Sequence, residues 1–145
     1  MASSFPFDNE NIGAGPFLTM KVSTTAGQSF TQSDIDAGTV ACVITDNNTI
    51  GKGTAGAHLL GKVVWVSSDL IAGSLVPQLC SIQARGVARF AYVSTAPAIG
   101  NKVEADGTGK VRQASTGTVP AGGLKHRGYV IAVDSGAGTC DVWLG

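Results

Sequence analysis

Apolar and polar positions alternate with period two in short runs along most of the chain, the mark of strands with one buried face. Leu18 to Thr24, Thr39 to Thr45 and Lys62 to Ser67 read as strands, the last built on Val63-Val64-Trp65-Val66. Leu79 to Gln83 and Arg85 to Val93 follow and meet at Gly86. In the second of these, Val87, Arg89, Ala91 and Val93 alternate with Ala88, Phe90 and Tyr92, giving one mixed face and one aromatic face. Val103 to Ala105 and Lys110 to Gln113 flank Asp106-Gly107-Thr108-Gly109; Arg127 to Asp134 and Thr139 to Leu144 flank Ser135-Gly136-Ala137-Gly138. Both inserts are hairpin signals, because Gly and Asp supply the backbone shapes that tight turns need. Thr31 to Gly38 carries capping-type residues and a Gly stop, enough for one helical turn or a polar loop. About eight strands at roughly 8–12-residue spacing predict an all-β domain, a compact barrel or sandwich.

Residues 1–17 break this pattern. Phe5, Phe7 and Phe17 are three of the five Phe, Pro6 and Pro16 lie among them, and Gly13-Ala14-Gly15 precedes Pro16. The segment reads as an extended N-terminal arm with apolar anchors, followed by a single β domain over 18–145. A weak internal echo is also present. Gly61-Lys-Val63-Val64-Trp-Val66 matches Gly128-Tyr-Val130-Ile131-Ala-Val133 at an offset of 67, with His58 and His126 just before each. Any two strands that follow a Gly look alike, so the echo does not by itself mark a duplication.

Composition supports the strand reading. Val, Ile and Thr number 15, 8 and 13 in 145 residues, and Glu occurs twice. Branched side chains are stiff in helices and suit a pleated surface. Ten basic and ten acidic residues give a formal net charge of zero. With no basic run, nothing resembles the electrostatic footprint of a nucleic-acid-binding domain. No apolar run is long enough for a membrane-spanning helix, and no secretion signal is expected from the first residues. Low charge leaves copies of the molecule free to approach one another.

Candidate chemistry is sparse. Cys42, Cys80 and Cys140 are odd in number and widely spaced, and they read as small buried hydrophobes rather than a disulfide framework or a zinc site. Gly51-Lys-Gly53-Thr-Ala-Gly56 fits the dinucleotide fingerprint by letter. The helix that would aim its amides at a pyrophosphate has no room before the next strand, so a hairpin loop is the better reading. His58 and His126 lack metal-ligand spacing and a local acidic partner. Asp46, Asp69, Asp106 and Asp134 stand where turns are expected. No catalytic constellation emerges, and neither an enzyme nor a cofactor is expected. Arg85 and Arg89, four apart on one strand, would share a face and could reach acids on another subunit. Trp65, Tyr92, Tyr129 and Trp143 fall inside strand runs, where core packing is expected.

The C-terminal half carries a resemblance. Arg85-Gly86-Val87 leads into Ala98-Ile99-Gly100-Asn101-Lys102-Val103, then Asp106-Gly107-Thr108-Gly109-Lys110-Val111, Gly128-Tyr-Val-Ile-Ala-Val133, Gly136-Ala-Gly138 and Asp141-Val-Trp-Leu144. This order resembles the small β-rich capsid decoration (cement) proteins of tailed phages over about residues 85–145, with fainter support from 39–66. The resemblance implies a structural virion protein with no catalytic residues. It implies a partner, the major capsid protein, bound on the outer surface of the head, and self-association as a homotrimer at three-fold and quasi-three-fold positions. On that reading Phe5, Phe7 and Phe17 dock the arm on capsid or on a neighbouring copy, and Arg85 and Arg89 serve contacts between subunits. The competing expectation is a small β-sandwich that binds carbohydrate at a host surface. It needs exposed aromatic platforms, with Trp65, Tyr92, Tyr129 and Trp143 as the candidates.

Overall fold

The structure, a computed structural model, describes residues 17–67, 79–115, 126 and 128–145, and the backbone alone of 70–71 and 74–75. Twelve short strands and one helical turn follow one another as β1 (Phe17–Val22), α1 (Gln32–Ala37), β2 (Ala41–Asp46), β3 (Thr49–Gly51), β4 (Gly61–Val66), β5 (Leu70–Ile71), β6 (Ser74–Leu75), β7 (Leu79–Gln83), β8 (Val87–Ala91), β9 (Val103–Ala105), β10 (Val111–Gln113), β11 (Tyr129–Asp134) and β12 (Thr139–Trp143). Five of them close a barrel in the order β1-β3-β2-β4-β7, with β7 pairing back to β1. β11, β12 and β8 form a second, antiparallel sheet, and β9 and β10 a hairpin.

The all-β expectation is met, as a barrel rather than a sandwich. β3, β5 and β6 are strands that the apolar pattern did not reveal, because two or three residues are too few to show a period. Phe17, read as part of the arm, instead opens β1 opposite Gln83. Phe5 and Phe7 lie outside the described residues.

Local chemistry explains the turns. Thr31 caps α1, its hydroxyl accepting from the Asp34 amide while the Asp34 carboxylate accepts from the Thr31 amide, and Gly38 ends it at φ 66°. The Asp106 carboxylate accepts from the amides of Thr108 and Lys110, and that of Asp134 from Ala137. Asp46 does the same for Asn47, so these three aspartates shape turns; Asp69 lies outside the described residues. Gly56 runs without a helix into β4, which removes the context a dinucleotide fingerprint requires.

Two apolar cores result. Val22, Cys42, Ile50, Val63, Cys80 and Ile82 fill the barrel. Leu59, Phe90, Val103, Val111, Val130 and Val142 lie between the second sheet and the β9–β10 hairpin. β2 is the wall between them. Ala41 belongs to one core and Cys42 to the other, so its first residues are buried without alternating. The Gln83 amide joins the two units, donating to the carbonyls of Arg85 and Val87 at 3.2 and 2.7 Å as β7 passes into β8. The outer edge of β11 is also occupied: the Gly100 amide donates to Val130 O at 2.7 Å, and the Val130 amide to Asn101 O at 2.9 Å.

All three thiols are buried and free. Burial pushes Cys80 up to about 11 and, together with the Asp141 carboxylate, Cys140 up to about 12; Cys42, in the barrel core, is pushed higher still by burial and by Cys80. A chromogenic disulfide reagent at pH 8 is therefore expected to find no reactive thiol in the native protein and three in guanidinium, since only the thiolate reacts. Backbone packing gives a second expectation. A Cβ on Gly61 would meet the Gln83 carbonyl oxygen, where β4 crosses β7. Gly61→Ala should cost about 2–3 kcal/mol of unfolding free energy, read as a lower urea midpoint; an unmoved midpoint would show that the strands part there without cost.

Candidate docking surface

The outer wall of the barrel is set by register. Across β4, β7 and β1, Trp65 stands opposite Ser81 and Ser81 opposite Thr19; Leu79 stands opposite Lys21, and Phe17 opposite Gln83. Leu79 and Phe17 are exposed, and Trp65 is 56% exposed, so this wall presents large apolar side chains around small hydroxyls. The cause lies in β4. By simple alternation Trp65 would share the inward face of Val63, but the register shifts between them. Val63 faces Ile82 in the core, Trp65 faces Ser81 outside, and Val66 returns to Cys80. One extra residue at a bulge swaps the two faces of a strand.

The second sheet also carries a bulge, on β11. Between Val130 and Ala132 the register shifts at Ile131. Val130 opposite Val142 and Val133 opposite Cys140 remain inward, and Tyr129, opposite Trp143, turns outward with Val87 beyond it. The two rings stack with centroids 6.3 Å apart and 23° between planes, and the Lys102 ammonium sits 5.3 Å from the Tyr129 centroid. Trp143 is 50% exposed, and Ile131, further along β11, and Ile99, in the loop that binds the Val130 edge, are exposed as well.

These faces correct the expected burial of Trp65, Tyr129 and Trp143; Tyr92 alone of the four packs against a core. They also redistribute the arginines. Arg85 lies in the bend before β8, so it does not share a strand face with Arg89, and it is exposed. Arg89 stands directly opposite Asp141 and holds it through two bonds, Nε to Oδ1 at 2.7 Å and a terminal nitrogen to Oδ2 at 2.8 Å. The pair is largely buried, and Asp141 keeps the guanidinium charged beyond its ordinary range. Arg89 is thus engaged within its own chain.

A cluster that sequence spacing did not reveal lies under the β9–β10 hairpin. Glu104 is fully buried on β9. Arg112, its partner across the ladder, donates from Nε to Oε1 at 2.7 Å. His126 Nε2 lies 3.2 Å from Oε2, close enough for charge attraction but not aligned as a hydrogen bond. The His58 ring stacks on that of His126 at 6.1 Å. The two histidines of the sequence echo therefore meet, and the acid that neither has nearby in sequence arrives on a separate hairpin. Among the described residues no group of three His, Cys, Asp or Glu is placed to hold a metal ion. The cluster joins three segments distant in sequence, the β9–β10 hairpin and the stretches that carry His58 and His126, and its chemistry is that of an internal clamp. At the barrel mouth an open cleft of about 640 Å³ is lined by Lys21, Thr24, Gln28, Ile44, Asp46 and Thr54 among others. The Gln28 amide, bonded to both the amide and the carbonyl of Gly53, shapes one side of it.

Comparison with protein-family models, curated proteins and solved structures gave no match.

The clamp has a measurable share in stability. Glu104→Gln keeps the shape but removes the charge that faces Arg112 and His126. Breaking a fully buried pair costs about 3–5 kcal/mol. Arg112 is 40% exposed and can rehydrate, so a loss of about 1–3 kcal/mol is expected. Chemical denaturation reads it, and an unchanged midpoint would mean that the carboxylate is not a clamp.

Proposed function

We propose that the chain is a structural virion protein, a capsid decoration protein that binds the outer surface of a phage head and holds neighbouring major capsid subunits together. The observation that carries this reading is the pair of apolar faces on a protein of zero net charge, one around Trp65, Leu79 and Phe17, the other around Tyr129 and Trp143. Exposed apolar groups gathered on sheet faces mark contact surfaces rather than ordinary solvent-facing walls. Aromatic anchors ringed by small polar groups are the usual centre of a protein interface. The order of motifs over residues 85–145 supports the same reading. Contacts repeated over a closed shell reinforce one another, so each can be modest. The barrel wall is the face assigned to capsid; Arg85, exposed at the start of the second sheet, is available to a neighbouring subunit, and self-association as a homotrimer belongs to the proposal.

Two measurements test it. Light scattering of the full chain should give a mass near three times 14.6 kDa, in solution or once the protein is released from heads. Expanded heads of the virus that encodes the chain should bind it, and Trp65→Ser should weaken binding about 30-fold, the loss of one aromatic anchor worth about 2 kcal/mol. Heads that ignore the protein would overturn the reading. Carbohydrate recognition is the second reading. It is favoured by the exposed Tyr129–Trp143 pair with Lys102 beside it, and binding on a glycan array that is lost in Trp143→Ala would select it.

A further inference from the structure

We propose that the cleft at the barrel mouth binds a small uncharged saccharide, a mono- or disaccharide of pyranose rings. Its volume of about 640 Å³ is that of an ordinary small-ligand site, and neither Trp65 nor the Tyr129–Trp143 pair lines it. The site is therefore separate from both apolar faces and independent of the decoration reading.

The walls are preformed. Where β1 ends, the Ser23 amide donates to Ile50 O at 2.8 Å, which holds the following segment beside β3. Gln28 then ties that segment to the loop after β3. Its side-chain nitrogen donates to Gly53 O at 3.1 Å, and its side-chain oxygen accepts from the Gly53 amide at 2.6 Å. The Lys52 amide completes the contact, donating to Gln28 O at 3.2 Å. Two glycines make this fit. A Cβ on Gly51 would meet Gln28 Oε1 at 2.8 Å, and one on Gly53, at φ 73°, would meet the Val43 side chain. The run Gly51-Lys-Gly53 is thus a packed wall and not a phosphate cradle. The Lys52 ammonium is engaged elsewhere, with Asp34 at 2.9 Å.

Register sets the polar groups. Lys21 on β1 stands opposite Thr49 on β3, and Asp46 on β2 stands opposite the same Thr49. Cross-strand partners point to one face. An ammonium, a hydroxyl and a carboxylate therefore form a row, the two charged residues roughly 10 Å apart at the backbone. Among the described residues neither Lys21 nor Asp46 has an ion-pair partner. Thr24 and Thr54 add exposed hydroxyls to the lining, and Ile44, 61% exposed, adds an apolar patch.

These groups select among ligand classes. Lys21 and Asp46 cancel in charge, so the cleft as a whole draws in neither anions nor cations. No arginine is in the lining, so a phosphate meets no bidentate fork. No aromatic ring is there either, so a planar base has nothing to stack on. A pyranose fits what remains. Its hydroxyls donate and accept all around the ring. One molecule can donate to Asp46, accept from Lys21 and exchange bonds with the threonines between them. The bonds to the two charged groups are the strong ones. The C–H side of the ring rests on Ile44.

Titration of the isotopically labelled full-length protein with D-glucose, D-galactose, D-mannose and N-acetyl-D-glucosamine tests this by amide chemical shifts. Saturable shifts at Gln28, Thr49 and Gly53 are expected, with a Kd on the order of 1 mM for the best sugar. Asp46→Asn keeps an oxygen for the Asn47 amide and removes the charge. It should weaken binding about tenfold. Lys21→Met, at an exposed position, should do the same, which keeps the test sound if the first variant folds poorly. Silence with every sugar overturns the proposal. Shifts that survive both variants overturn it too, as do shifts centred on Lys102, Tyr129 and Trp143, which would place the sugar on the second sheet. Glycine or inorganic phosphate that moves the cleft amides when the sugars do not assigns the site to an ion and also overturns it. Heads play no part in the titration, so the decoration reading stands or falls by its own measurement.

Discussion

Closure of the barrel rests on β7, which is paired along both of its edges. β1 bonds to one side and β4 to the other, and the inward side chains Cys80 and Ile82 occupy the middle of the barrel core. The crossing with β4 is so close that position 61 has no room for a side chain. The same strand ends in Gln83, whose amide grips the carbonyls that lead into β8. A single strand thus seals the barrel and fixes where the second sheet starts. The two exposed apolar faces inherit their positions from it, since Trp65 stands over Ser81 and Trp143 over Val87.

A second constraint is the pair of bulges. Each one lets a strand send a large apolar residue outward without giving up its inward row. β4 keeps Val63 and Val66 in the core while exposing Trp65, and β11 keeps Val130 and Val133 inward while exposing Ile131; Tyr129 lies outward by ordinary alternation with Val130. Exposed aromatic groups lose the favourable transfer from water that burial would bring, of order 2 kcal/mol each. Two separate sheets with outward aromatics at ladder positions are hard to reconcile with a protein that only needs to fold. They suit one that completes its burial against a neighbour.

The strand content and most turns were legible because their signals are local. Val103–Ala105 and Leu79–Gln83 were read to the residue, and the aspartates of the turns at Asp106 and Asp134 bond the amides that turn chemistry predicts. The faces of β4 and β11 were not legible. A bulge is a property of two strands, and the partner that defines Trp65 as outward, Ser81, lies sixteen residues away. The buried clamp was hidden for the same reason. The hairpin ladder sets Arg112 opposite Glu104, but no spacing rule links His58 and His126 to them, and only the tertiary fold brings the histidines there. The echo of Gly and His around positions 61 and 128 was a faint trace of that meeting, visible as a pattern but silent about its meaning. Arg85 and Arg89 mark the limit of counting along a strand, because Gly86 at φ 77° breaks the run between them.

The loop that bonds both backbone groups of Val130 has a consequence for how the molecule meets others. An open strand edge is a template for uncontrolled growth, since any extended segment can add to it and the next can add to that. The barrel has no such edge, and along β11 the hydrogen-bonding groups of Val130 are already taken by Gly100 and Asn101. Around the barrel and at Val130, what is offered to the surroundings is side chains rather than backbone. Association through side chains is selective by shape and charge and stops when the faces are filled. With no net charge to hold copies apart, a closed barrel confines contact along its wall to chosen side chains.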